Sequence, residues 1–352
     1  MGGSALKSLD IKRMSREEYE VAVYAIRVGL AQHGLDSYEV PAYKTKEDFG
    51  DADIVVYNPK GINLTELVET IFHPSEIVVN GNVISFDHHA HQIDLIQFSD
   101  FDTLEFAHGY FSWNDLGNFM GRVSRRLGMK FGHDGLWYVL RDPENPDYVF
   151  KEIRIRSDFL DVLKFLGYDP IRWNDGFDTP EDIYNFVTTS KYFHPAGFVL
   201  SNRNYTARIR DKKRKMYNGL ITFLSEKYGI TEDTPLPEDY YQKEHGLKKA
   251  LVKFPEFAQE YFKAKSDMEI HKRYMSRING KWAAEHFDVQ GKSLGVIMKN
   301  LKDYIHKHNL KEWASNEDPE IVRQFVDVLK NNGVLDGEET RKTRSDSDGS
   351  IN

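Results

Sequence analysis

The chain has 352 residues, enough for two domains with a sizeable core, and its 40% hydrophobic and 13% aromatic content excludes a disordered chain. A net charge of −8 excludes a surface that is basic throughout, so nucleic-acid contact must come from local patches. The absence of cysteine excludes disulfides, thiolate metal sites and cysteine nucleophiles, and no apolar run is long enough for a membrane span or a signal peptide, so the expected location is the cytoplasm.

Gly2-Gly3-Ser4 opens the chain with small residues. Gly3 and Ser4 fit a phosphate-binding turn, because backbone N–H groups can approach an anion there, and they equally fit a frayed end. Ser15-Arg16-Glu17-Glu18 is a capping box. Tyr19, Val23, Ile26 and Leu30 then recur at helical spacing until Gly34. Tyr38 to Tyr43 reads as a first strand, and Lys44 to Asp48 as a charged loop. Lys44 and Lys46 stand where cations meet a phosphate chain, or are simply solvated.

Gly50 precedes Asp51-Ala52-Asp53-Ile54-Val55-Val56. On a strand, residues i and i+2 share a face, so Asp51 and Asp53 project together while the apolar run buries the strand. Two carboxylates on one face repel unless a cation lies between them, and Mg²⁺ takes such hard oxygen ligands. Asn63 to Phe72 reads as a short helix capped by Asn63. Ile77 to Phe86 is a hairpin about Asn80-Gly81. His88, His89 and His91 lack the helical spacing of a zinc site and read as a polar loop. Gln92-Ile93-Asp94-Leu95-Ile96 then puts one aspartate inside a second apolar strand, where it is costly unless paired or metal-bound. Asp51, Asp53 and Asp94 form a three-carboxylate set on two strands, which suits two-metal phosphoryl or nucleotidyl transfer.

His108 to Leu127 reads as one helix and Met129 to Leu140 as a hairpin. Pro143 to Tyr148 marks a limit, giving a catalytic domain over 1–145, a mainly helical region over 146–335 and a disordered tail over 336–352. Asp158 to Leu166 is a helix, and Thr179-Pro180 starts another. Residues 203–215 carry seven Lys or Arg against one Asp. Arg208, Arg210, Lys212, Lys213 and Arg214 are the candidates for polyanion binding by counterion release; a solvated helix face is the alternative. Helical runs follow near 239–252, 255–275, 292–308 and 319–330.

Gly-Asp-x-Asp before apolar residues, with a lone Asp on a later strand, resembles the DNA polymerase β-type nucleotidyltransferase superfamily. That superfamily includes tRNA CCA-adding enzymes, poly(A) polymerases and small antibiotic-modifying enzymes. Val40 to Lys44 stands where the family usually has Gly-Ser and a basic residue; the Gly-Ser is missing there. Gly291-Lys292-Ser293-Leu294-Gly295 resembles a helix start in the tail of CCA-adding enzymes, though a buried small-residue helix start explains Gly295 equally well. The resemblance implies an α+β fold, with a small mixed β-sheet nucleotidyltransferase domain, flanking helices and a mostly helical C-terminal region. It implies an enzyme in which an acceptor hydroxyl attacks the α-phosphorus of an NTP and pyrophosphate leaves. Asp51, Asp53 and Asp94 would hold Mg²⁺ or Mn²⁺, with Asp94 also the nearest base. Gly3, Ser4, Lys44 and Gly50 would contact the nucleotide, and the basic stretch an RNA 3′ end. Nucleotidylation of a small molecule or protein, or a non-catalytic binding protein of the same fold, are the alternatives.

Overall fold

Ser15 ends a short strand, β1 (Met14–Ser15), and caps the first long helix, α1 (Arg16–Gln32), in the computed structural model, which describes residues 5–336. The Ser15 hydroxyl accepts from the Glu18 N–H, and the Glu18 carboxylate accepts from the Ser15 N–H at 2.8 Å. The capping box therefore satisfies two donors that a helix start otherwise orphans. Tyr19, Val23, Ile26 and Leu30 are buried, as their spacing predicts.

The chain continues through β2 (Asp36–Glu39), β3 (Asp48–Phe49), β4 (Ala52–Tyr57), α2 (Leu64–Phe72), β5 (Ile77–Asn80), β6 (Val83–His88) and β7 (His91–Phe98). The order β2-β4-β7-β6-β5 makes a mixed sheet in which only β4 and β7 run parallel. β1 and β3 pair separately. The first strand is shorter than Tyr38–Tyr43. Pro41 has no N–H to give a ladder, and its carbonyl instead accepts from the Trp113 N–H at 2.7 Å. The Asn80-Gly81 hairpin forms, with Gly81 at φ +62°.

β4 is apolar on both faces because both are covered. Ala52, Ile54 and Val56 join the core of α1 and α2. Val55 joins Ile96, Phe98, Leu104 and Ala107 on the other face, under α3 (Phe101–Phe111). The single helix expected over His108–Leu127 is two, α3 and α4 (Leu116–Arg126). Trp113 and Asn114 break it with φ of +63° and +61°. No local propensity announces that left-handed pair, whose backbone is held by the Trp113 bond to Pro41.

β8 (Met129–Gly132) and β9 (Gly135–Asp142) form the expected hairpin, and β10 (Asn145–Arg156) extends its sheet. Pro143 to Tyr148, expected to mark a limit of the first domain, is the tip and start of a further hairpin strand. Helices α5 (Phe159–Phe165), α6 (Pro170–Asn174), α7 (Pro180–Thr188), α8 (Tyr205–Lys212), α9 (Lys215–Tyr228) and α10 (Lys243–Lys253) follow. The last are α11 (Pro255–Arg277), α12 (Gly280–Phe287), α13 (Gly291–Lys307), α14 (Lys311–Asn316) and α15 (Pro319–Asn331).

Two compact units result. One joins the residues up to Val139 with Glu152–Ala258, and the other joins Leu140–Lys151 with the chain from Gln259 on. The division is not the expected one at 145, because a hairpin tip belongs with the last helices. The second unit has its own core, including Ile278, Ile297, Leu301, Val322 and Val326. Gly295 in α13 is exposed with open space about its Cα, so a buried helix start does not account for it. No helix among the described residues is long and apolar enough to cross a membrane. The tail expected over 336–352 lies, beyond residue 336, outside the described residues.

Candidate functional site

The parallel register sets Tyr57 beside Phe98, Val55 beside Ile96 and Asp53 beside Asp94. Alternate rungs share a face, so one apolar layer ends in a rung of two carboxylates. Asp51 lies two residues before Asp53, at the same end. One carboxylate oxygen from each of Asp51, Asp53 and Asp94 lies within 4.8 Å of the other two. The three aspartates singled out by sequence are thus brought together.

Asp94 is buried, at 3% exposure. Gln92 Nε2 donates to both of its oxygens, at 2.9 and 3.1 Å. Ser85, directly opposite on β6, also hydrogen-bonds the carboxyl. Asp53 is served less well. Its Oδ1 is buried and has no hydrogen-bond partner. Burial, then the charge of Asp51 and that of Asp94, push the Asp53 carboxyl up to about 7. Burial also raises Asp94, against the hydrogen bonds of Ser85 and Gln92. An orphaned buried oxygen among three hard donors fits a divalent cation such as Mg²⁺ or Mn²⁺. The histidine turn does not compete with it. Among the described residues the aspartates are the group whose ligand atoms converge, and His91 Nδ1 lies 3.1 Å from the Lys12 carbonyl.

Gln92 escaped the sequence reading. Its placement two residues before Asp94 on one strand was a usable signal, since the two share a face. Its other partner was not. Gln92 Oε1 accepts the Ala5 N–H at 3.1 Å, and that bond fixes which end of the amide turns to Asp94. Replacing Gln92 with Leu should lower divalent-ion affinity about 10–100-fold, as loss of an outer-shell partner does. Titration calorimetry with Mn²⁺ measures this, and unchanged affinity contradicts the role.

Cations lie near the triad. Arg13 Nε donates to Asp48 at 2.6 Å and, first among the causes, holds that carboxyl below the usual carboxylate range; Lys215 and Lys46 add to the effect. A Cβ at Gly50 would stand 2.7 Å from Arg13 Nη1, the mobile end of an exposed side chain that can move aside. Lys46 Nζ lies 4.3 Å over the Phe49 ring, where burial lowers its pKa and the charges of Asp51 and Asp53 oppose that shift. Lys44, the stronger candidate by sequence, pairs with Asp178 at 2.7 Å, while its backbone N–H donates to the Phe177 carbonyl. Lys46 is therefore the lysine near the acids. Gly3 and Ser4 lie outside the described residues.

The basic stretch divides by role. Arg203 is buried against Asp211 and Tyr217. Arg210 Nε reaches Asp211 Oδ1 at 3.0 Å, and its Nη2 reaches Asn118 Oδ1 at 3.1 Å. Arg214 pairs with Asp115. Arg210 and Arg214, expected at a polyanion, are thus engaged within the fold. Arg208, Lys212 and Lys213 are exposed. No protein-family model and no curated protein sequence matches the chain.

Proposed function

We propose that the chain is a metal-dependent nucleotidyltransferase, related to the DNA polymerase β-type superfamily, which moves NMP from an NTP to an acceptor hydroxyl. The observation that carries this reading is the Asp53–Asp94 rung with Asp51 beside it, and the Asp53 oxygen left unpartnered within it. Asp51, Asp53 and Asp94 would hold the divalent ions. When bound, such ions neutralise phosphate charge and lower the acceptor hydroxyl's pKa.

The chain's own groups then have definite tasks. Asp94, whose proton affinity is raised by burial, takes the hydroxyl proton. The hydroxyl oxygen bonds to the α-phosphorus, the α–β bridging bond breaks, and pyrophosphate carries away its electron pair. Gln92 and Ser85 hold Asp94 in place. Lys46 and Arg13 supply positive charge on the side from which a triphosphate would approach.

Incubation with each NTP labelled at the α-phosphate, Mg²⁺ and total RNA tests the proposal. It predicts label in a macromolecular or small-molecule acceptor and free pyrophosphate. No pyrophosphate with any NTP, under either Mg²⁺ or Mn²⁺, contradicts it.

A further inference from the structure

Residues 5–8 are bonded at both ends to the part of the sheet that carries Asp94. The Ala5 N–H donates to Gln92 Oε1 at 3.1 Å, and the Lys7 and Ser8 N–H groups donate to the two carboxylate oxygens of Glu76 at 3.3 and 3.1 Å. Leu6, between them, is buried at 6% exposure. Glu76 stands just before β5, and its own N–H and that of Ser75 donate to Asp87 Oδ1, both at 2.8 Å. Asp87 lies on β6, directly opposite Gln92 on β7. The bonds therefore close a ring, from Gln92 through Ala5, the 5–8 segment, Glu76 and Asp87 back to Gln92.

A side-chain amide has one acceptor end and one donor end. While Gln92 Oε1 takes the Ala5 N–H, Nε2 faces Asp94 and donates to both of its oxygens. Turned about, the amide would set its oxygen against the carboxylate. We propose that residues 5–8 are a positioning strap for the aspartate triad: anchored at Glu76, they hold the Gln92 amide in the orientation that fixes Asp94 for a divalent ion. Ala5 and Glu76 then set ion affinity from outside the carboxylate set. The proposal rests on the reading of the triad as a metal site, and adds to it a means of loosening that site without altering a carboxylate.

Titration calorimetry of the full chain with Mn²⁺ tests it as a double-mutant cycle. Ala5→Pro removes the N–H, since proline has none, and should weaken Mn²⁺ binding roughly tenfold, the low end for loss of a bond that orients a metal ligand. In the Gln92→Leu background the same change should have no further effect, because the amide that it orients is gone. A segment that merely stabilised the fold would act equally in both backgrounds. Glu76→Ala, which frees the far end of the strap, should weaken binding roughly threefold. Glu76→Gln, which keeps an acceptor, should lose less. Melting temperatures of the metal-free variants show that each folds; should Ala5→Pro fail to fold, Glu76→Ala takes its place in the cycle. Wild-type Mn²⁺ affinity in Ala5→Pro or Glu76→Ala, or an equal loss in the two backgrounds, overturns the strap and leaves the metal site standing. No Mn²⁺ binding by the wild-type chain overturns the metal reading, and the strap with it.

Discussion

Replacing Asp53 with Asn should abolish NMP transfer and at the same time stabilise the metal-free protein. Loss of turnover by at least about a thousand-fold corresponds to ~4 kcal/mol of transition-state stabilisation, a reasonable share for a carboxylate that holds the metal. The stability gain follows from the environment of Asp53. Burial and the neighbouring carboxylates raise its folded-state value to about 7, above the unfolded value of 3.8. An acid raised on folding binds its proton more tightly in the folded state. Its stabilising contribution is complete below the unfolded value and is lost as pH rises from about 4 to about 7. In chelator at pH 8 the Asn variant should therefore melt above the wild type, and the difference should vanish near pH 4. Mg²⁺ should reverse the order at pH 8, because the cation favours three ionised carboxylates. Scanning calorimetry at both pH values, with and without Mg²⁺, measures this. A variant less stable than the wild type in chelator at pH 8 contradicts the account of Asp53 as a strained carboxylate.

Replacing Asp211 with Ala should be among the most damaging single changes outside the core. Asp211 is fully buried and faces Arg203, Arg210 and Arg122, the last at 3.8 Å. Arg203 is itself buried; its Nη1 donates to the Tyr217 hydroxyl at 2.8 Å, and that hydroxyl donates to the Phe198 carbonyl. Removing the one carboxylate leaves a buried guanidinium without its counter-charge and two more cations close by. Breaking such a pair from one side costs about 3–5 kcal/mol. In a unit of this size that lowers the melting temperature by roughly 10 °C. Asp211→Asn, which keeps an acceptor and loses the charge, should fall between. A loss under about 1 kcal/mol for the Ala variant would place the cluster with ordinary surface pairs.

The two aspartates of the motif and the third on a later strand were legible because β-strand periodicity is short-range. Asp94 needed only its apolar neighbours; Asp51 lies just before β4 and not on it, so the strand expected over both Asp51 and Asp53 is one residue shorter at its start, although the carboxylates still converge. The capping box at Ser15 and the hairpins about Asn80-Gly81 and over 129–140 were legible for the same reason, whereas the β6–β7 turn at His89-Ala90, with φ of +52° and +66°, read as a loop. What escaped depends on contacts across long stretches of chain. Gln92 meets Ala5 across 87 residues, and Arg214 meets Asp115 across 99. A charge run reads as a solvated face until such partners are known. Arg210 and Arg214 thus changed from candidate polyanion contacts to partners of Asp211 and Asp115, while Arg208, Lys212 and Lys213 are exposed. Lys44 gave way to Lys46 because the segment at 44–45 bonds along Phe177 and Asp178, which takes the Lys44 ammonium with it.

Crystals soaked in Mn²⁺ and measured for anomalous scattering address the triad itself. The account predicts a peak whose distances to carboxylate oxygens of Asp51, Asp53 and Asp94 all fall at about 2.0–2.6 Å, the range of hard divalent ions. Density with no peak among the three, or a peak that Asp94 does not reach because its carboxylate stays on Gln92, contradicts it.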